Sequence, residues 1–218
     1  LSVTEWYTIR GVTLPTSWVS VLIAFTLVGI ILWWRYGKKE ASVYADHAIF
    51  FILIWKFSVI VTDLSLVIKQ PLIILFFNGG TMGFYIAIVA TCISIFRQLK
   101  KNVFAASQLR TLTMAFILTQ SVYQIAMAMQ NDGLSWQRWL TVVAFIIWLL
   151  IAIKNGLNQD IWRKQLIILF SLSHIMIALL QPDGFWQKSL MATFIFSLFV
   201  LLVHFLKDKS RKQMEASS

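Results

Sequence analysis

The sequence predicts an all-α membrane protein with seven spanning helices. Apolar residues make up 59% of the 218-residue chain and only 13% are charged, whereas a soluble domain is about a quarter charged. The apolar residues gather in seven runs, most near the roughly 20 residues a bilayer requires. Lysines and arginines concentrate in alternate loops, which gives the chain its direction.

Residues 1–17 read as an outer N-terminal segment. The spans then run Trp18 to Trp34, Tyr44 to Thr62, Leu72 to Phe96, Leu109 to Met129, Arg138 to Ile153, Gln165 to Leu180 and Ser189 to Leu206. The fifth is short and must stand nearly upright. Short loops make neighbouring spans antiparallel. One set of loops holds Arg35, Lys38, Lys39, Arg97, Lys100, Lys101, Arg110, Lys154, Arg163, Lys164, Lys207, Lys209, Arg211 and Lys212; the other holds Arg10, Lys69, Arg138 and Lys188. Fourteen against four places the first set in the cytoplasm, the N-terminus outside and the C-terminus inside. Trp6, Trp18, Trp136, Trp139 and Trp186 fall at the outer boundary, Trp33, Trp34 and Trp162 at the inner one. Residues 1–206 therefore form one transmembrane domain, and 207–218 a polar cytoplasmic tail expected to fray. No cleavable signal peptide is expected, because the first apolar run is too long and no small-residue cleavage site follows it.

The net charge of +10 is loop charge that orients the chain. The bases are scattered, not gathered into a nucleic-acid face. Cys92 is the single cysteine, so no internal disulfide and no thiolate metal set is expected. His47 and His204 fall at inner span ends, where an interface position explains them. No metalloprotease helix, nucleophile elbow or phosphate loop is present, and no cofactor is implied.

Polar residues inside spans usually face the bundle interior. At about 1.5 Å per residue, Lys56, Asn78, Gln120, Tyr123, Gln124 and His174 fall at one depth in the outer half, with Ser171 and Ser173 beside His174. They are candidates for lining a headgroup cavity, with Arg10, Asp63 and Asp183 at its outer rim. Each has a plainer reading. Lys56 snorkels toward Asp63, Asn78 makes an interhelical hydrogen bond, and His174 is a satisfied core histidine. Gly79 and Gly83 form a G-x-x-x-G step, with Gly80 between them. Such glycines let helices approach closely or let backbone approach a ligand.

The stretch "FFNGGTMGFYIAIVATCISIFRQLKK" resembles the prolipoprotein diacylglyceryl transferase (Lgt) family, which has a helix carrying a His-Gly-Gly-x-x-Gly motif, preceded by an apolar run and followed by a basic turn. "YTIRGVTLPTSWVSVLIAF", "YADHAIFFILIWKFSVIV" and "WRKQLIILFSLSHIMIALLQPDGFW" resemble other family segments in the same order. The similarity spans most of the chain and is most specific at Gly79 to Gly83 and Leu179 to Gly184. It implies seven spans, a bacterial cytoplasmic membrane, and a phosphatidylglycerol-like anionic phospholipid as partner.

The family moves a diacylglyceryl group onto a cysteine thiol, which calls for a cationic hold on the phosphate leaving group. The departures fall on that machinery. Asn78 stands for the motif histidine, Ser17 for a family tyrosine, and His174 or Ser173 near a lost arginine. "FILTQSVYQIAMAMQNDG" has no Gly-Arg-x-Gly-Asn signature, and no outer head domain is present. The resemblance thus implies a degenerate Lgt-like protein acting as a lipid-binding or accessory subunit beside another envelope protein or lipoprotein. A divergent transferase using Lys56, Asn78 and His174 is the alternative. A transporter or channel subunit is a third reading, disfavoured by a lack of polar residues in the inner half.

Overall fold

The structure, a computed structural model, describes residues 3–9, 12–101, 105–154 and 160–216. Two short strands, β1 (Trp6–Ile9) and β2 (Val12–Pro15), pair antiparallel ahead of α1 (Thr16–Tyr36). α2 (Lys38–Phe57) turns at Ser58 into α3 (Val59–Thr62), and α4 (Leu64–Lys69) and α5 (Ile73–Phe76) follow. The long helices α6 (Gly80–Lys101), α7 (Ala106–Gln130), α8 (Ser135–Lys154), α9 (Asp160–Leu179) and α10 (Lys188–Ala216) complete the chain. A single 3-10 turn, Gly184–Trp186, precedes α10.

Seven helical segments are long and apolar enough to cross a membrane: Thr16–Tyr36, Lys38–Thr62, Gly80–Lys101, Ala106–Gln130, Ser135–Lys154, Trp162–Leu179 and Lys188–Lys209. The chain is an all-α, multi-pass membrane protein. The bundle has a hairpin end, where β1 and β2 lie, and a tail end, where α10 finishes. α10 continues through Lys207 to Ala216. Lysine, glutamine, methionine and glutamate favour helix, so the expected fraying is replaced by continued helix, and Lys164 pairs with Asp208.

α7 is the hub. Some 67% of its spanning residues are buried, against 28% for α1. It carries Thr113, Ser121 and Gln124 on buried faces, and surrounding helices shield those groups from hydrocarbon, where polar atoms are costly. Met114, Ile117 and Leu118 of α7 join one apolar cluster with Val28 and Leu32 of α1, Phe145 and Trp148 of α8, and Ile167 and Phe170 of α9. Phe116 and Phe145 both meet the Phe170 ring edge to face, at 5.5 and 6.0 Å, a preferred aromatic geometry.

The hairpin is tied down by a residue that stood out in no sequence pattern. Asn131, 1% exposed at the end of α7, accepts at Oδ1 from the Thr4 amide at 2.8 Å and the Thr16 hydroxyl at 2.7 Å. Its amide nitrogen donates to the Met127 carbonyl at 3.0 Å.

The largest departure from the sequence reading lies between α2 and α6. A third span beginning at Leu72 does not form; the helix starts at Gly80. Pro71 cannot continue a helix from α4. Gly80, at the very start of α6, has φ 58°, in the left-handed region, so a right-handed helix cannot run through it from the preceding residues. Nothing lies within 4 Å of where a Gly80 Cβ would sit, so conformation alone requires glycine there. Gly80→Ala is expected to lose about 1–2 kcal/mol and Gly80→Asn clearly less, read as thermal unfolding in detergent micelles.

Candidate functional site

A cavity of about 260 Å³ lies inside the bundle between α1, α2, α6, α7 and α10. From α2 it is lined by Glu40, Val43, Tyr44, His47, Ala48, Phe51 and Trp55. Steps of three and four residues put all seven on one helical face. The same spacing recurs on α7 from Gln108 through Thr111, Ala115, Thr119 and Gln120 to Tyr123, and on α6 from Phe84 through Ile88, Thr91 and Ile95 to Gln98. Gln108 to Tyr123 covers about 22 Å of helix axis. A volume of 260 Å³ drawn out over that height is a slender slot.

Its middle is apolar, with Ala24, Phe25, Phe51, Ile88, Ala115, Phe116 and Phe196 facing in. Polar groups stand toward both ends. At the hairpin end are Ser17, Gln120, Tyr123, Ser189 and the exposed Lys188; at the tail end are Glu40, His47, Gln98 and Gln108, with Thr91 nearer the middle. Several of these are held by partners. Tyr44 and Thr119 share a hydrogen bond of 2.7 Å between their hydroxyls. His47 Nε2 lies 2.6 Å from Gln98 Oε1, so that nitrogen carries the proton. Gln120 donates to the Ser189 carbonyl at 2.9 Å. The polar residues of the tail half alter the premise on which a transport role was disfavoured.

The sequence-selected residues do not converge on this slot. Gln120 and Tyr123 line it; Lys56, Asn78, Gly79, Gly80, Gly83, Gln124 and His174 are not among its described lining residues. Lys56 Nζ donates to the Leu75 carbonyl at 2.8 Å instead of reaching for Asp63, whose carboxylate accepts from the Thr62 hydroxyl at 2.7 Å. Asn78 Oδ1 accepts from the Gly80 amide at 2.7 Å, which satisfies an open donor at the start of α6 as an N-cap does. Asp183 is exposed beside the 3-10 turn, and Arg10 lies outside the described residues.

Gly79 and Gly83 serve packing. A Cβ on Gly79 would stand 2.9 Å from Ser58 Cβ, and one on Gly83 3.0 Å from the same atom. The turn at Ser58 exposes the Trp55 carbonyl, which accepts from Ser58 Oγ at 2.7 Å and from the Gly79 amide at 3.3 Å. The Trp55 indole in turn donates to the Gly80 carbonyl at 3.0 Å. The asparagine and three glycines thus form a junction between α2 and α6.

His174 is 1% exposed and bonded at both nitrogens, to Gln124 Nε2 at 2.9 Å and to Thr193 Oγ1 at 2.8 Å. Its ring meets Phe145 edge to face at 5.2 Å. His204, placed by sequence at an interface, is fully buried, with Nε2 3.4 Å from the Thr113 hydroxyl. Among the described residues no group of three or more His, Cys, Asp or Glu side chains is arranged to hold a metal ion. Comparison of the chain with protein-family models, with characterised proteins and with solved structures finds no match.

Proposed function

We propose that this protein is a non-catalytic, Lgt-like lipid-binding subunit of a bacterial cytoplasmic membrane, oriented with its N-terminus outside, and that the bundle slot holds one apolar chain of a membrane lipid. The slot carries this reading: it is slender, apolar in its middle and walled by three helical faces. Such a shape suits an extended hydrocarbon chain better than a compact polar solute. Lys188 at the hairpin end supplies a cation for an anionic, phosphatidylglycerol-like headgroup.

The non-catalytic part is supported by the separate engagements of Lys56, Asn78 and His174, which bind a backbone carbonyl, a backbone amide and two side chains respectively. Acyl or glyceryl transfer requires a nucleophile and a charge-stabilising group around one reacting centre. A transport role is the second reading, favoured by polar lining at both ends of the slot. Flux of lipid or solute across proteoliposomes tests it.

Wild-type protein is expected to retain phosphatidylglycerol through native mass spectrometry. Ala115→Phe, which fills the slot, is expected to lower retention about tenfold. Equal retention by the two would sink the slot reading. Incubation with radiolabelled phosphatidylglycerol and a lipobox peptide is expected to leave the thiol unmodified. Label on the peptide would overturn the non-catalytic reading alone.

A further inference from the structure

Two polar atoms that line the slot, one at its tail end and one near its middle, have no hydrogen-bond partner among the described residues. Among the described residues Gln108 Oε1 is buried without a hydrogen-bond partner, and so is the Thr91 hydroxyl, on a residue only 5% exposed. Both side chains line the slot. Buried polar groups are nearly always paired, and leaving one unpaired is unfavourable. A pair of such atoms facing one cavity therefore points to a ligand that supplies the missing partners.

The lining defines the chemistry of that ligand. Gln108 Oε1 can only accept a hydrogen bond, and the Thr91 hydroxyl can accept as well as donate. Glu40 is the one charged side chain among the described residues lining this end, and its carboxylate accepts. His47 is already committed through Nε2 to Gln98, while its Nδ1 lies 3.5 Å from the Ser94 hydroxyl. Tyr44 is committed to Thr119. The open positions are thus chiefly acceptors, one of them anionic, directly below an apolar channel. The complementary group has several N–H donors and a positive charge, and it is joined to hydrocarbon.

We propose that the tail end of the slot is a subsite for the protonated primary amine of a single-chain amphiphile, with Glu40 and Gln108 as its acceptors and the hydrocarbon lying between Phe51, Ile88 and Phe116. The inference rests on the slot taking an apolar chain and adds what stands at its end. The two mouths then differ in sign: Lys188 marks the hairpin end and Glu40 the tail end. An ammonium group donates three hydrogen bonds, enough for both acceptors. A quaternary ammonium donates none, so it should bind no better than a neutral head.

The test uses the full chain in nanodiscs of zwitterionic lipid, with dodecylammonium, dodecyltrimethylammonium and dodecanol as probes followed by native mass spectrometry. Dodecylammonium is expected to bind about tenfold or more tightly than dodecanol, and dodecyltrimethylammonium to resemble dodecanol. Glu40→Gln and, separately, Gln108→Leu should bring the ammonium preference to within about twofold. Neither should alter dodecanol binding or the unfolding temperature by more than a few degrees. If dodecanol binds but the ammonium shows no preference, or the preference survives both substitutions, the amine subsite is overturned while the chain-binding slot stands. If no probe binds and Ala115→Phe changes nothing, the slot reading fails with it.

Discussion

Gly83→Ala is expected to pull α6 away from α2 and to lower stability by about 3 kcal/mol, at the upper end of what overpacking usually costs. The new methyl would lie 3.0 Å from Ser58 Cβ and 3.5 Å from Trp55 Cδ1. Rotating the Ser58 hydroxyl relieves part of the crowding, but Ser58 Cβ moves only with the backbone at the turn between α2 and α3. That turn is anchored by the Trp55 carbonyl, which accepts from Gly79 and Ser58, so the strain spreads into the junction. A double-mutant cycle gives the mechanism away. Ser58→Ala should recover a minor part of the loss, and Ser58→Gly most of it. Gly79→Ala should behave alike, since its methyl meets the same Ser58 Cβ at 2.9 Å. Unfolding of the variants in mixed micelles is the measurement. Additive effects of Gly83→Ala and Ser58→Gly would refute close helix contact as the reason for the glycines.

The contrast with Gly80 shows what the sequence could and could not reveal about this stretch. All three glycines stand in one apolar run, yet Gly80 is required by a positive φ with open space around it, and Gly79 and Gly83 by crowding. Spacing suggests a close approach of helices, but it carries no sign of backbone conformation. For the same reason the apolar run from Leu72 read as continuous helix, although Pro71 and Asn78–Gly79–Gly80 interrupt it.

The seven spans were legible because each is long and apolar; apart from that break the helices cover the expected runs, with α2 beginning earlier, at Lys38, and α10 continuing beyond Leu206. The slot was less legible for a definite reason. Polar residues sorted by depth alone gather Lys56, Asn78 and His174, whose side chains take unrelated partners. Sorted by helical face, Glu40, Tyr44 and His47 align on α2, and Gln108, Thr119 and Tyr123 on α7. Steps of three, four and seven residues were available in the sequence. What they lack is the identity of the facing helix, which depends on tertiary packing. Asn131 was hidden differently: it looks like an ordinary loop residue, and its buried contacts to Thr4 and Thr16 span more than a hundred positions of chain.

His174→Leu tests whether the buried histidine of α9 is structural. With Gln124 donating to Nε2, the proton sits on Nδ1 and is donated to Thr193 Oγ1, whose own hydroxyl donates to the Ser189 carbonyl at 3.1 Å. Gln120 donates to that same carbonyl. The chain of bonds is neutral throughout and ties α7 to α9 and α10. A single interhelical hydrogen bond within a membrane protein contributes only about 0.6 kcal/mol on average, so loss of the contacts themselves is the smaller effect. The larger one is the Gln124 amide, 1% exposed, left without an acceptor in a low-dielectric interior, which costs about 1–3 kcal/mol. His174→Leu is therefore expected to destabilise by about 2 kcal/mol. His174→Leu combined with Gln124→Leu should lie closer to wild type than the single substitution, because neither partner is then orphaned. Retention of phosphatidylglycerol should change by less than about twofold in His174→Leu, since the residue is not part of the described slot lining. A loss of lipid greater than the loss of stability explains, or strict additivity of the two leucine substitutions, would show that His174 acts on the ligand and not through its two side-chain partners.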